Sequence, residues 1–483
     1  MKVVFVSLFK EEFGGGEGRV AHELAQYFAS RHGTVMMCPG DTTGLYETES
    51  GLKIFGVRSA GEGHVYVTAL SARNVRRMFH FLDEFQPDVV HAHDPASLGL
   101  IAQIWARMHD VLFVHTAHVL PSRILDFGAT DVVKILRSSL TGSVARQGLS
   151  NFYQNCDAII ALNQPGAQDI REFGYDGNVF VIPNGRDLKK YGVCKNAEMS
   201  SQERVLTFIG SITERKNQRY LLEVMKHLPA HYKLQIVGEA LDPAYGRRLR
   251  NLAKRRHLDN VVFTGQVVHK DIPPYLQETH VFVSASKMEV QSLVVIEALA
   301  SGTPVVGLSN ETIDGLVDDE VGCRLPQDAD PKAFARCVEN ICQASQSEYD
   351  RLCENARDRV RTLDWANVIS LTTEAYETLL RERPAVAPSS TEKGRARLRR
   401  TISLLPPGEV RDVLMQQLAV LERIQQEIDP KSRLRLASKI KRARRVPSSS
   451  WVYAGLTVSI SVIGYLFLRY VTSLFGMRKS RDA

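Results

Sequence analysis

Short runs of apolar, mostly β-branched residues alternate with stretches of helical periodicity along this chain, in two successive series. Alternation of this kind leaves few options, because consecutive parallel strands need crossover connections and the helices that make them cover both sheet faces. In the first series the strand candidates are residues 3–8, 35–38, 89–93, 112–116, 158–162 and 179–182. The glycine turn Gly14, Gly15, Gly16 leads from the first run into a helical pattern at Val20, Leu24, Tyr27 and Phe28. A second series follows at 205–209, 233–237, 261–264, 281–284 and 304–307. Between them stands Pro183-Asn184-Gly185, where proline ends a strand and Asn-Gly accepts turn geometry. The expected fold is α/β, with two doubly wound Rossmann-like domains, 1–183 and 184–364, facing a cleft. Ligands of such sheets sit beyond the carboxyl ends of the strands, so a site belongs in that cleft.

With 483 residues and 44% hydrophobic content the chain has room for a substantial core in each domain. Its seven cysteines are scattered and contain no C-x-x-C pair, which predicts neither a disulfide framework nor a zinc knuckle and favours a reducing compartment. The net charge of +7 conceals an asymmetry. From Arg383 onward there are 20 Lys/Arg against 7 Asp/Glu, leaving 41 basic and 47 acidic residues before it. A mildly acidic body argues against nucleic-acid binding, and the basic tail suits an anionic surface.

The tail opens with a Pro/Ser-rich linker at 383–391. Val413, Leu414, Leu418, Leu421 and Ile424 then recur at helical spacing, predicting an amphipathic helix around 410–428 that packs on a partner, on the body or on a membrane. The whole segment 383–450 reads as a basic linker carrying that helix. From Trp451 to Leu468 no residue is charged, and accepting Arg469 extends the run to Phe475. At 1.5 Å per residue this gives roughly 27 to 37 Å of helix, enough for one membrane crossing at 451–475. Arg433, Arg435, Lys439, Lys441, Arg442, Arg444 and Arg445 outnumber the downstream Arg478, Lys479 and Arg481, so the upstream side should stay cytoplasmic. The expectation is a single-pass C-terminal anchor in the cell inner membrane, with a cytoplasmic body and anionic lipids against the juxtamembrane arginines. Lys10, Glu11 and Glu12 directly follow the first apolar run, so that run reads as a strand rather than a signal peptide.

Residues 284–306, SASKMEVQSLVVIEALASGTPVV, carry two glutamates, Glu289 and Glu297, separated by seven residues. A helix starting near Val290 would point its free N–H groups into the cleft and favour an anionic ligand. Carboxylates at its entrance and one or two turns inside accept hydrogen bonds from hydroxyl donors, which suits sugars. The one D-x-D string, Asp328-Ala329-Asp330, precedes Pro331 and reads as a helix start rather than a metal site. His91 and His93 would share a strand face beside Asp94, which by itself leaves a metal site open.

This stretch resembles the E-x7-E region of nucleotide-sugar glycosyltransferases of the GT-B fold, in family four of the retaining enzymes. Other pieces of that pattern follow in order: FGGGEGRVAHELA near the N-terminus, PDVVHAHD at 87–94, T-x-H at 116–118, VIPNGRDL at 181–188, GSITERKN at 210–217 and LDW at 363–365. The resemblance spans residues 1 to about 382. It implies that residues 1–183 take the acceptor, that 184–364 bind the donor and that 365–382 cross back to the first domain. It places Glu297 on the donor ribose, Glu289 on the transferred sugar, Lys216 on the diphosphate and His118 near the reacting centre, with His118, Glu289 and Lys216 catalytic. Gly15 and Gly16 match the loop approaching the donor phosphates or acceptor, while Val290, Gln291, Ser292 and Leu293 complete the donor segment. Where the family usually has arginine this chain has Ser211, and Arg215 is the neighbouring cation.

The implied reaction is metal-independent transfer, without a cofactor, from a nucleotide-diphosphate sugar, UDP in preference to GDP, with retention of configuration. No carboxylate is an obvious nucleophile, so front-face displacement is expected. The stretch from Glu289 looks especially like glucosyltransferases acting on diacylglycerol, which with the anchor favours a lipid or lipid-linked acceptor. An isomerase acting on the nucleotide sugar itself, and a membrane-tethered scaffold that binds donor without turnover, remain open alternatives.

Overall fold

The computed structural model describes residues 1–10, 15–62, 65–68, 71–123, 139–192, 203–383, 392–405 and 407–426. The first series builds β1 (Lys2–Val6), β2 (Gly33–Gly40), β3 (Gly44–Glu47), β4 (Lys53–Glu62), β5 (Val65–Thr68), β6 (Val89–Ala92), β7 (Leu112–Ala117), β8 (Ala158–Ala161) and β9 (Asn178–Val181). They form one sheet in the order β3-β4-β2-β1-β6-β7-β8-β9, with β5 also paired to β4. From β4 through β9 every neighbour is parallel, whereas β3 and β5 run antiparallel to β4. The central strands are apolar on both faces because helices cover both: Val3, Val4, Phe5 and Val6 are all fully buried.

The second series gives a six-stranded, wholly parallel sheet from β10 (Arg204–Ile209), β11 (Tyr232–Val237), β12 (Val261–Gly265), β13 (Val281–Ser284), β14 (Val305–Leu308) and β15 (Gly322–Leu325), in the order β12-β11-β10-β13-β14-β15. Every apolar run of the two series is a strand. Unexpected are the short strands β3 and β5, β4 between them and β2, whose apolar run is broken by Gly56 and Arg58, and β15, which carries Arg324.

The chain passes between the halves twice, and the two passes pair with each other. Arg186 N donates to Leu363 O at 2.8 Å, and Trp365 N to Arg186 O at 3.3 Å. Gly185 is required here, since a Cβ would come within 2.3 Å of the Trp365 ring. The helix Trp365–Arg381 then returns to the first half, burying Trp365, Val368, Ile369, Tyr376 and Leu379 against Val20, Leu24 and Phe28.

The tail differs from a plain linker. Helices Glu392–Ser403 and Glu409–Gln426 form a hairpin on the first half, burying Leu398, Ile402, Leu405, Val410, Leu414 and Leu418 in the core that holds Phe79, Phe81 and Trp105. Of the three surfaces open to the 410–428 helix, the body is the one it uses. Asn155 Nδ2 donates to Thr401 Oγ1 at 2.9 Å, and Arg399 pairs with Glu422 across the hairpin. A further correction concerns sulfur: Cys323 and Cys337 form a disulfide between β15 and the helix Pro331–Cys342. Their 14-residue separation carries no motif, and only the fold brings them together. Gly14, residues 384–391, the basic clusters around 433–445 and 478–481 and the apolar run 451–475 lie outside the described residues. Among the described residues no helix is long and apolar enough to cross a membrane.

Candidate active site

On the second half, the loop after β13 delivers Glu289, and the turn after β10 delivers Arg215 and Lys216. Lys216 Nζ lies 2.6 Å and Arg215 Nη1 2.9 Å from the same oxygen, Glu289 Oε1. Arg215 also donates to Met288 O at 2.7 Å. The two consecutive cations therefore converge, and Ser211 accepts from Gln218 through its backbone oxygen instead. Burial pulls the Glu289 carboxyl up, but Lys216 and Arg215 outweigh it and hold it below the usual carboxylate value. Burial lowers the Lys216 ammonium, and Glu289 offsets part of that.

The helix after this loop is Leu293–Ala300, starting three residues later than Val290. Residues 290–292 bend ahead of the helix, their polar groups taken by Asn163 of the first half, Asn184 of the junction and Thr312 of the second half. Asn163 Nδ2 donates to Val290 O at 2.6 Å, Asn184 N to Gln291 Oε1 at 2.7 Å, and Ser292 N to Thr312 Oγ1 at 2.7 Å. Val290 packs on Leu120 and Leu162 of the first half, and Leu293 joins the core containing Val20 and Trp365. Gly15 and Gly16 open the helix Gly15–Ala29 rather than forming a separate turn. A Cβ on Gly16 would approach Leu293 Cδ1 to 3.0 Å, so absence of a side chain there lets the halves meet closely. Arg123 and Glu311 form a further ion pair across the rim at 3.6 Å.

Glu297 sits one turn into its helix with a fully buried side chain. Its Oε1 lies 3.2 Å from Arg186 Nε and 3.0 Å from His269 Nε2. Burial raises this carboxyl, and the His269 hydrogen bond with the Arg186 charge brings it below the usual value. Arg186 Nη1 reaches on to Glu23 Oε2 at 2.8 Å, which also accepts from Trp365 Nε1 at 3.2 Å. Glu297 thus occupies a different cluster from Glu289 and Lys216, and both clusters lie where the halves touch. Arg186, His269 and Glu23 were not singled out from sequence. An arginine directly after the Pro-Asn-Gly turn was the available signal for the first, and nothing local marks the other two.

The first half contributes imidazoles. His118 follows β7 and faces His93, with Nε2 to Nδ1 at 2.9 Å and stacked rings. His93 stacks in turn on His91, whose two nitrogens engage Tyr376 Oη at 2.6 Å and Thr116 Oγ1 at 2.7 Å. Burial, then the neighbouring His115, pushes His118 down to about 3, and burial with adjacent imidazoles holds His91 and His93 well below their ordinary value. All three are neutral at pH 7. Val290 bridges the banks: it packs on Leu120, two residues beyond His118, and it follows Glu289 directly. Asp94 accepts from Leu8 N and Ala96 N, and burial raises it to about 7. Asp330 caps its helix, accepting from Lys332 N ahead of Pro331 at the first turn. Among the described residues no cluster of three His, Cys, Asp or Glu side chains suits a metal ion.

Two doubly wound domains meeting across a polar cleft, joined by a double crossing and a returning C-terminal helix, define the GT-B class of architecture. The Glycosyltransferase Family 4 model matches residues 14–190 and the Glycosyl transferases group 1 model residues 203–344. The chain belongs to the GT-B glycosyltransferases, with these two domains in succession. Among curated relatives, the alpha-monoglucosyldiacylglycerol synthase of Streptococcus pneumoniae is 26% identical over 52% of this chain and 58% of its own length. The D-inositol 3-phosphate glycosyltransferase of Xylanimonas cellulosilytica is 26% identical over 62% of this chain and 73% of its own. Among solved structures, sucrose-phosphate synthase of Thermosynechococcus elongatus aligns at a TM-score of 0.64 with 20% identity, covering 79% of this chain and 99% of that one. Anabaena HepE in complex with UDP-glucose aligns at 0.61 with 17% identity, covering 78% and 100%. At such identities the structural likeness concerns the fold.

Proposed function

We propose that this chain transfers a sugar from a nucleotide-diphosphate donor, a UDP-sugar in preference, to a hydroxyl of a membrane lipid or lipid-linked glycan, with retention at the anomeric carbon. The observation that carries the reading is the convergence of Lys216 and Arg215 on Glu289 at the contact between the halves. The two cations suit a diphosphate, and the carboxylate suits the hydroxyls of the sugar attached to it. As the bond from anomeric carbon to diphosphate breaks, the nucleotide leaves with the electron pair and its growing charge is stabilised by Lys216 and Arg215. The acceptor oxygen bonds to the same face, and its proton passes to the departing phosphate oxygen. His118, neutral at pH 7, serves as a hydrogen-bonding group for the sugar. Closure of the halves excludes water from this step.

HepE's complex with UDP-glucose and the name of the pneumococcal relative support the donor and acceptor classes. The apolar run 451–475, interrupted only by Arg469, and the basic cluster ahead of it support a body held at the cytoplasmic face of the inner membrane by a C-terminal anchor, with anionic lipid beside it. The test is a panel of radiolabelled UDP- and GDP-sugars, incubated with the full chain and total membrane lipid. An organic-extractable product with one donor is expected. Absence of product with every donor contradicts the proposal, and conversion of donor without acceptor would favour an isomerase.

A further inference from the structure

Arg186 is an unusual place to put a charge. Its side chain is 1% exposed, in the turn where the chain first leaves the first half, and a buried guanidinium is retained only where its N–H groups are matched. One edge is matched: Nη1 donates to Glu23 Oε2 at 2.8 Å, and Glu23 is held in turn by Trp365 Nε1. Nε stands 3.2 Å from Glu297 Oε1, close enough for an ion pair but without the alignment of a hydrogen bond. Nη2 is buried and has no protein hydrogen-bond partner.

Glu297 shows the complementary imbalance. Arg186 Nε and His269 Nε2 approach Oε1, the Tyr191 hydroxyl also hydrogen-bonds to this carboxylate, and Arg19 adds its charge. Oε2 is buried and accepts no protein hydrogen bond. A carboxylate has about four acceptor positions, and leaving one oxygen unmatched in a buried site is costly. His269 reaches this carboxylate from the short turn after β12, and the Tyr191 hydroxyl, raised by burial and then by Glu297, stands beside both. Arg186 and His269 thus hold one oxygen of a carboxylate from segments distant in sequence, with Tyr191 beside it, and Oε2 has no geometric hydrogen-bond partner.

Resting on the reading of Glu297 as the ribose-binding carboxylate, we infer that Arg186 and His269 are positioning residues, which fix Glu297 through Oε1 so that Oε2 accepts from the vicinal hydroxyls of the donor's ribose. Arg186 is itself fixed from the first half through Glu23, so selection of a ribonucleotide depends on both halves being in contact. A diol offers the donors that Oε2 lacks, and a nucleotide without ribose hydroxyls leaves that oxygen buried and unmatched.

The test is calorimetric binding of UDP and GDP, and of their 2′,3′-dideoxy counterparts, to the full chain and to Arg186→Met, Arg186→Lys, His269→Ala and His269→Gln. The wild type should prefer the ribonucleotide by about 10- to 100-fold, the range for hydrogen bonds to a charged group. Arg186→Met and His269→Ala should bring that ratio towards one, and His269→Gln, which retains an N–H donor, should restore part of it. A merely structural role would weaken both ligands by one factor and leave the ratio unchanged, which overturns the inference. Tighter UDP binding by Arg186→Met also overturns it, because the arginine would then compete with the ligand. His269 is 28% exposed, so its variants keep the test valid if Arg186→Met fails to fold. Equal wild-type affinity for ribo- and dideoxynucleotides removes Glu297 from the ribose and leaves the proposed reaction standing. Failure of the wild type to bind either nucleotide counts against the reaction itself.

Discussion

The two banks of the cleft satisfy their buried polar groups by opposite means. The second half keeps charges and pairs them, with Lys216 and Arg215 on Glu289 and Arg186 on Glu297, whose same oxygen lies 3.0 Å from His269 Nε2. The first half keeps imidazoles neutral and bonds them to neutral partners: His91 to Tyr376 and Thr116, His93 to His118, and His115 to Ala92 O. A bank of paired charges is prepared for an anionic nucleotide. The imidazoles of the first half present hydrogen-bonding groups to a sugar or an alcohol, while its charges Glu23, Arg19 and Arg123 serve the contact with the second half. The contrast between the halves is thus one of paired charges at the donor side against neutral imidazoles around His118.

The harshest way to break the comparison is Lys216→Ala. Loss of a preorganised cation at a departing phosphate should lower transfer about 10²- to 10³-fold at saturating donor, measured as initial rates. An unchanged rate would mean the charged bank does not serve the donor.

Acid tests the buried imidazoles next. Burial holds His115 and His22 down to about 4, against an unfolded value near 6.5. The unfolded chain therefore binds more protons between those values, and the associated stability is complete above about 6.5 and lost as pH falls towards 4. For His115 alone this amounts to about 3 kcal/mol at pH 4. Glu289 and Glu297 lie below their ordinary value, so their contribution persists above about 4.3 and fades only beneath it. His280 of the second half is likewise held down to about 4, while Asp94, raised by burial to about 7, opposes the loss in the first half. Hydrogen exchange followed from pH 7 to pH 5 should therefore show protection falling around His115 and His280 alike, and unchanged protection at both would contradict this.

A smaller effect tests whether the tail hairpin belongs to the first half. Ile402→Val removes a buried methyl from the core shared with Phe79 and Trp105 and should cost about 1 kcal/mol in urea unfolding, with donor binding unchanged. Smallest is Arg123→Gln at the rim, where a half-exposed pair with Glu311 is worth under ~1 kcal/mol and should respond to salt.

The positions of most strands followed from periodicity, since buried parallel strands announce themselves as continuous apolar runs, whereas their order in each sheet required the fold. β3 and β5 are short and flank β4, whose apolar run is broken by Gly56 and Arg58, so none of the three announced itself. The helix Glu392–Ser403 was hidden for a related reason: among its many arginines only Leu398 and Ile402 mark the buried face. Within the site, Glu289, Lys216 and Arg215 were visible as a pattern, while their convergence on one oxygen required the fold. Gln291 and Leu293 were legible as part of the donor segment, yet in the structure they dock the halves together. Arg186 and His269 act on Glu297 from 111 and 28 residues away, and no local spacing records such a contact.

The central claim is that one carboxylate held by two cations acts on the transferred sugar. Turnover of Glu289→Gln with saturating donor and lipid acceptor, compared with wild type, tests it most directly. The substitution keeps size, removes the charge and replaces one acceptor oxygen by an N–H donor. The account predicts transfer at least about a hundredfold slower with nucleotide binding preserved; wild-type turnover by that variant would contradict it.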